Sequence, residues 1–213
     1  MKTKKGYFIS LEGVEGVGKS TAFDFMRNYL ISQGMDLTVT REPGGTEIAE
    51  SIRQVLLHKH QEKMATDTEV LLMFASRAQN IEAVIKPALE QNQWVLADRF
   101  ADASFAYQGG GRKVPLSRMQ LMADWVLGSL QPDMTILLDA PVELGLQRVE
   151  ARGQKDRIET EGVDFFERVR AVYLELAKQQ PNRFRIVDAT RTIVEVEQQL
   201  QQLLDPLIAE YQL

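Results

Sequence analysis

The sequence predicts an α/β protein, a three-layer αβα sandwich built on a five-stranded parallel sheet. Three observations predict it. Five short apolar runs occur, at residues 7–11, 37–40, 94–97, 134–138 and 184–187. Several are apolar on consecutive positions, the pattern of strands buried on both faces. Helical stretches separate the runs, which is βαβ alternation.

The helices follow in order. Residues 20–31 carry Phe23, Met26, Leu30 and Ile31 at helical spacing, and Gly34 supplies a stop. Thr66-Asp-Thr-Glu69 reads as a capping box opening a helix through Leu71, Leu72 and Ala75. Pro115 opens another, ending near Leu130 before Pro132. Pro141 opens one to about Arg152, and 164–180 and 192–210 are the last two. No repeat, low-complexity tract or linker interrupts the chain, so residues 1–213 read as one domain. Two segments stand apart. Residues 107–113 read as a flexible basic loop. Residues 148–162, dense in charge between two helices, read as a helical lid.

Composition narrows the function. A hydrophobic content of 44% and a charged content of 26% are ordinary for a globular protein. The net charge of −5 supplies no overall basic field for nucleic acid. The absence of cysteine excludes disulfides, thiolate catalysis and cysteine-ligated zinc. The start Met1-Lys-Thr-Lys-Lys is basic like that of a signal peptide, but the apolar run behind it is short and meets Glu12. No run approaches the ~18 apolar residues of a membrane helix. A soluble, cytoplasmic protein without membrane or nucleic-acid partners is expected.

The first strand runs into Gly13, Val14, Glu15, Gly16, Val17, Gly18, Lys19, Ser20 and Thr21, which contain the P-loop pattern G-x-x-x-x-G-K-[ST]. Its glycines let backbone N–H groups point inward at phosphate oxygens, and the following helix adds its positive end. Lys19 is placed to reach the β- and γ-phosphates, and Ser20 to ligate Mg²⁺. The context, after an apolar strand and before an amphipathic helix, makes the motif far more specific than its four fixed positions alone. A P-loop NTPase fold is therefore expected. Asp98, ending the third strand, is the candidate second metal ligand. Asp139 ends the next strand similarly but lacks the basic neighbour that Asp98 has in Arg99.

The loop does not distinguish a kinase from a GTPase or a motor. No Asn-Lys-x-Asp guanine signature is present. Arg41, Arg53, Arg77 and Arg99 fall where an open α/β sheet lines its crevice, and transfer between two phosphorylated partners needs such cations. Arg148, Arg152, Lys155 and Arg157 suit a lid that closes over ATP and presents arginine to the moving group. His58 and His60, two apart, read as surface residues. An acceptor phosphate is already ionised at pH 7 and needs no base, so positioning and charge neutralisation suffice. A kinase for another nucleoside or monophosphate, or a nucleotide-binding regulator without turnover, stays open on the residues alone.

Longer strings are more specific: Leu11-Glu-Gly-Val-Glu-Gly-Val-Gly-Lys-Ser-Thr21, Thr40-Arg-Glu-Pro-Gly-Gly-Thr46, Phe74-Ala-Ser-Arg77, Asp98-Arg-Phe100, Ser104-Phe-Ala-Tyr-Gln-Gly109 and Asp156-Arg-Ile-Glu159. On these the chain resembles bacterial thymidylate kinases along essentially its full length. The resemblance implies transfer of the γ-phosphoryl group of Mg-ATP to dTMP. It implies that Glu15 accepts the sugar 3′-hydroxyl, that Arg53 and Arg99 clamp the dTMP phosphate, and that Arg77 and Gln108 read the thymine edge. Tyr107 is similar to a tyrosine crowding the 2′ position, and Glu42 and Ser104 to residues near the acceptor phosphate and metal. Arg152 resembles the lid arginine, the P-loop having none, with Arg148 and Arg157 beside it; Asp188 and Thr190 resemble part of the adenine edge. A homodimer packed through helices near 66–80 and 116–130 is also implied. The family stacks a phenylalanine on thymine four residues before the base-reading arginine. Here that position is Met73, with Phe74 next to it. Either the Met73 thioether replaces the stack or a rotated helix brings Phe74 in.

Overall fold

The structure, a computed structural model, describes residues 5–153 and 155–212. Residues 1–4 of the basic start, Gln154 of the charged segment and Leu213 lie outside the described residues. Strand β1 (Phe8–Glu12) sits at the centre of one parallel sheet. β3 (Trp94–Asp98) and β4 (Met134–Asp139) flank it, and β2 (Leu37–Arg41) and β5 (Phe184–Asp188) form the edges. The sheet and its flanking helices are as the sequence predicts.

Burial on both faces explains the consecutive apolar runs. Ile9 and Leu11 pack into the larger core with Met26 and Leu30, Phe166 and Val169, and Leu200 and Leu204. Those residues belong to helices α1 (Lys19–Ser32), α8 (Val163–Gln179) and α9 (Ile193–Gln212). Phe8, the residue before Ile9, joins Ile81, Ile85, Val95 and Phe100 in a second cluster. Successive side chains on a strand point to opposite faces, so every position of β1 is buried. Register sets Leu11 beside Asp98 and beside Ile136, so the C-terminal ends of the three central strands lie together. In open α/β sheets that end carries the site.

Four local readings are corrected. Helix α2 (Glu47–Leu57) was not foreseen; the Thr46 side chain caps it by accepting from Ala49 N–H at 3.1 Å, with Glu47 and Glu50 in its first turn. Helix α3 (Thr66–Asn80) begins without a side-chain cap, because Glu69 is drawn elsewhere. The helix then runs through a π-helical turn, Ile81–Ile85, into α4 (Lys86–Glu90). Residues 107–113 are not a flexible loop. After the short α5 (Ala101–Ser104) the chain is π-helical from Phe105 to Gly111 and mostly buried. Its glycines make room: a Cβ on Gly111 would lie 2.4 Å from the Phe165 ring of α8. Arg168 of α8 donates to the carbonyls of Gly110 at 3.3 Å and Gly111 at 2.9 Å. Helices α6 (Leu116–Leu127) and α7 (Val142–Arg152) complete the set, and the charged segment begins inside α7. Among the described residues no helix is long and apolar enough to cross a membrane.

Candidate active site

A cavity of about 470 Å³ opens at the C-terminal ends of β1 and β3. Its floor is the loop between β1 and α1. That loop packs on α7 so closely that a Cβ at Gly16 would meet the Gly145 carbonyl at 2.0 Å. Val14 and Val17 point into the core, whereas Glu15, Gly16 and Gly18 of the same loop line the cavity. Lys19 opens α1, buried, with Nζ donating to the Val14 carbonyl at 3.1 Å and 3.9 Å from Glu15. Burial, then the Arg99 charge, lowers the pKa of this amine, while Glu15, Asp98 and Glu12 oppose the shift. Ser20 and Thr21 border the same space.

The second wall is the turn after β3. Arg99 adopts φ 67°, a left-handed conformation that non-glycine residues rarely take. Two contacts hold it: Arg99 N–H donates to the Leu11 carbonyl at 3.0 Å, and Phe100 N–H to the Glu12 carboxyl at 2.7 Å. The turn aims Arg99 Nη2 at Glu15 Oε1, 2.6 Å away, and at the Tyr107 hydroxyl, 2.8 Å away. Tyr107 in turn donates to Glu15 at 2.9 Å. Burial alone would raise the Glu15 pKa, but Arg99 and Lys19 outweigh it and hold the carboxyl at about 2. Glu15 is thus ionised at any physiological pH. Asp98 Oδ1 is buried at the cavity wall with no hydrogen-bond partner among the described residues.

The roof comes from α2, α3 and the segment after α7. Arg53 borders the cavity with Nη1 donating to the Pro43 carbonyl at 2.8 Å. Arg148 reaches the Gly16 carbonyl at 3.3 Å, and Arg152, with its side chain 61% exposed, pairs with Glu159. Arg157 donates to the Leu56 carbonyl and to Glu69, each at 2.7 Å. Several arginines bordering one cavity, a lysine on a glycine loop and an unpartnered carboxylate oxygen together suit the handling of phosphates.

Comparison with known proteins agrees. The family model described as thymidylate kinase matches residues 11–200. The chain is similar to the thymidylate kinase of Ruthia magnifica, 49% identical over 96% of this chain and all of that protein. Against the thymidylate kinase of Ectopseudomonas mendocina it is 50% identical over 95% of this chain and 97% of the relative. Among solved structures it is similar to the thymidylate kinase of Ehrlichia chaffeensis, with a TM-score of 0.76, 28% identity, and coverage of 94% of this chain and 99% of that one. The chain belongs to the thymidylate kinase family.

The residues that the thymidylate kinase resemblance singles out fall into two groups. Glu15, Lys19, Ser20, Thr21, Arg53, Met73, Asp98, Arg99, Tyr107, Gln108, Arg148, Arg152 and Arg157 all line the one cavity. Phe74 does not; it is 1% exposed, in a core cluster with Val70, Val114 and Met119. Glu42, Arg77 and Ser104 lie behind the wall. Arg77 donates to Glu42 at 2.6 Å, to Ser104 at 3.0 Å and to the Phe100 carbonyl at 3.0 Å, and stacks over Phe74. Asp188 ends β5 and Thr190 follows it, both outside the cavity lining, with Asp188 accepting from the Thr190 hydroxyl at 2.5 Å and from Arg191 at 2.9 Å.

Sequence reasoning gave no site role to Glu12, Asp156 or Glu159, and read Glu69 only as part of a capping box. Glu12 is fully buried between Phe100 N–H and the Tyr173 hydroxyl, each at 2.7 Å. Burial, then the nearby Asp102 charge, raises its pKa to about 8, with its hydrogen bonds and Arg99 opposing. Its signal was a carboxylate in an otherwise apolar central strand, which requires buried partners. Asp156 caps its own turn, accepting from the N–H groups of Ile158 at 2.8 Å and Glu159 at 2.9 Å.

Proposed function

We infer that this chain transfers the γ-phosphoryl group of ATP to dTMP, giving ADP and dTDP for dTTP synthesis. Family membership over nearly the whole chain supports the reaction. The observation that carries it is the Glu15 carboxylate. It stands inside the triphosphate loop, yet Arg99 and Tyr107 hold it from the opposite wall, so donor and acceptor sites share one residue.

The chemistry needs little from the protein beyond position and charge. An ionised oxygen of the dTMP phosphate bonds to the γ-phosphorus as the bond to the β–γ bridging oxygen breaks, and that electron pair leaves with ADP. Backbone N–H groups of the loop and Lys19 hold the ATP phosphates. Arg53 and Arg99 hold the acceptor phosphate, which keeps like charges within reach of each other. Met73 offers a thioether to one face of the base, and the Gln108 amide meets its edge. Arg152 swings from Glu159 onto the moving phosphoryl group. Val149, Leu56, Leu57 and Ile158 line the roof and exclude water.

Magnesium fits this site. The unpartnered Asp98 oxygen and the Ser20 hydroxyl border the same space, and Mg²⁺ takes few protein oxygens, with phosphates and water completing its shell. Ser20 and Asp98 would hold the ion, which when bound neutralises phosphate charge. The exposed Leu71 of α3 and Leu121 and Trp125 of α6 support a homodimer packed through these helices. Free nucleotide substrates suit a cytoplasmic enzyme.

The test is an ADP-release assay across dTMP, dCMP and AMP. Turnover with dTMP well above the others is expected. Turnover with dCMP or AMP but not dTMP would assign another acceptor, and ATP binding without any turnover would make the chain a regulator.

A further inference from the structure

Glu69 stands in the first turn of α3, 2% exposed, and its carboxylate gathers donors from two distant segments. Gln108 Nε2 donates to Oε1 at 2.9 Å. Arg112 Nε is shared between the two oxygens at 3.1 and 3.2 Å. Arg157 Nη1 donates to Oε2 at 2.7 Å. A first-turn glutamate ordinarily faces solvent or caps its own helix. This one is buried beneath two arginines and an amide, which hold its pKa below the usual carboxylate range although burial opposes them.

Two of the donors, Gln108 and Arg157, line different parts of the site. Gln108 and Met73 line the acceptor end of the cavity, and Met73 is one turn along α3 from Glu69. Arg157 belongs to the roof. Its backbone N–H also reaches the Leu57 carbonyl at 3.2 Å, and its Nε reaches Leu56, so α2 and α3 grip it together. Two residues on, Glu159 holds Arg152. A continuous path therefore runs from Gln108 through Glu69, Arg157 and Glu159 to Arg152. Two buried atoms along it have no partner among the described residues, Gln108 Oε1 and Arg157 Nη2. An acceptor presenting an N–H beside a carbonyl, as a pyrimidine imide does, can satisfy a free acceptor and a free donor of this kind.

We propose that Glu69 is a positioning residue that couples occupancy of the acceptor site to closure of the roof segment carrying Arg157. Bound acceptor engages Gln108 Oε1, which fixes the Gln108 amide toward Glu69. Glu69 so held keeps Arg157 docked, and with it Glu159 and Arg152. An empty acceptor site leaves Gln108 free to turn, loosens Arg157 and lets the roof open. This deepens the reading of the cavity as a dTMP site and rests on it for the identity of the acceptor, but not for the coupling.

The experiment follows tryptic cleavage after Lys155 by mass spectrometry, on the full chain and on Glu69→Gln, Arg157→Gln and the double variant. Each is tested alone and with dTMP, dCMP or AMP, after circular dichroism has shown that it is folded. Proteolysis reports the open population and needs no catalysis. In the wild type, dTMP slows cleavage, about tenfold for a closure favoured by the equivalent free energy. Glu69→Gln is cleaved faster and loses most of the protection. Arg157→Gln, which leaves Glu69 paired with Arg112, behaves alike, and the double variant adds nothing further. Equal protection of wild type and Glu69→Gln, additive effects in the double variant, or no protection of wild type by any monophosphate would each overturn the coupling. Protection by dCMP or AMP in place of dTMP, lost in Glu69→Gln, would leave the coupling standing and overturn the acceptor assignment instead.

Discussion

Glu15 and Arg99 meet at 2.6 Å across 84 residues of sequence, joining the triphosphate loop to the turn after β3. The partnership is an acid-sensitive clamp. The Glu15 pKa is about 2 in the folded chain against an ordinary 4.5, so the folded state holds the charged form more strongly than the unfolded state does. The resulting stability is present above pH 4.5 and is lost as pH falls toward 2. On the order of 3 kcal/mol is the upper limit for such a shift. Thermal unfolding of wild type and Glu15→Gln should differ most above pH 5 and converge below pH 3. A constant difference across that range would contradict the clamp.

Glu12, three residues earlier, has the opposite sign. Its pKa is raised to about 8, chiefly by burial, so the folded state takes up a proton that the unfolded chain releases. That stability is complete below about pH 4.5 and drains away as pH rises through 8, at no more than ~1.4 kcal/mol per pH unit. Glu12→Gln keeps an acceptor for Phe100 N–H and sets an amide against the Tyr173 hydroxyl, which donates to Glu12 in the wild type, without the titration. Its unfolding temperature should vary less than that of wild type between pH 5 and 8. Parallel slopes in the two proteins would show that Glu12 is already charged in the fold.

What the sequence made legible was the part written locally. The P-loop is contiguous, and strand and helix context marks it. The sheet shows as apolar runs because both faces are covered. What it hid was set by distant partners. Glu69 reads as a cap from its neighbours, yet Gln108, Arg112 and Arg157, 39, 43 and 88 residues away, claim it. The glycines at 109–111 read as flexibility, but Gly110 and Gly111 leave room for α8 and Gly109 faces α6. Arg77 is an arginine in a crevice segment by sequence and a fully buried strut by contact. Helix α2 was missed despite a fair local signal in Thr46, Glu47 and Glu50.

Met73 and Phe74 should separate cleanly. Met73 lines the cavity, whereas Phe74 is core. Met73→Ala is expected to raise KM for dTMP roughly tenfold, the scale of one lost apolar contact, with the unfolding temperature nearly unchanged. Phe74→Ala should instead destabilise the fold by about 3–5 kcal/mol. The reverse pattern in steady-state kinetics and thermal unfolding would mean that the helix presents Phe74 to the base.

Leu121 and Trp125 are one turn apart on α6, 67% and 76% exposed, and Leu71 of α3 is 56% exposed. Apolar side chains this bare on two neighbouring helices suit a partner surface. Leu121→Glu places a charge in that surface and should yield a monomer by light scattering, where wild type is expected to give a dimer. A monomeric wild type would remove the dimer from the account.

Lys19 and Arg152 should dominate turnover. Lys19 is buried against the loop it serves, so Lys19→Ala removes a fixed cation from the phosphates and should lower kcat by at least ~10², the scale for one electrostatic donor. Arg152 differs, because its side chain is 61% exposed and, among the described residues, paired with Glu159. It is therefore free to exchange that carboxylate for a phosphoryl group as charge develops there. Interactions made only in the transition state lower kcat without changing KM. Arg152→Ala is expected to lose ~10³–10⁵ in kcat, as transition-state arginines do, while the KM values for ATP and dTMP stay near wild type. ADP-release kinetics with dTMP give both numbers. A rise in KM for ATP with kcat preserved would make Arg152 a ground-state binder and return the catalytic charge to Lys19 and the metal.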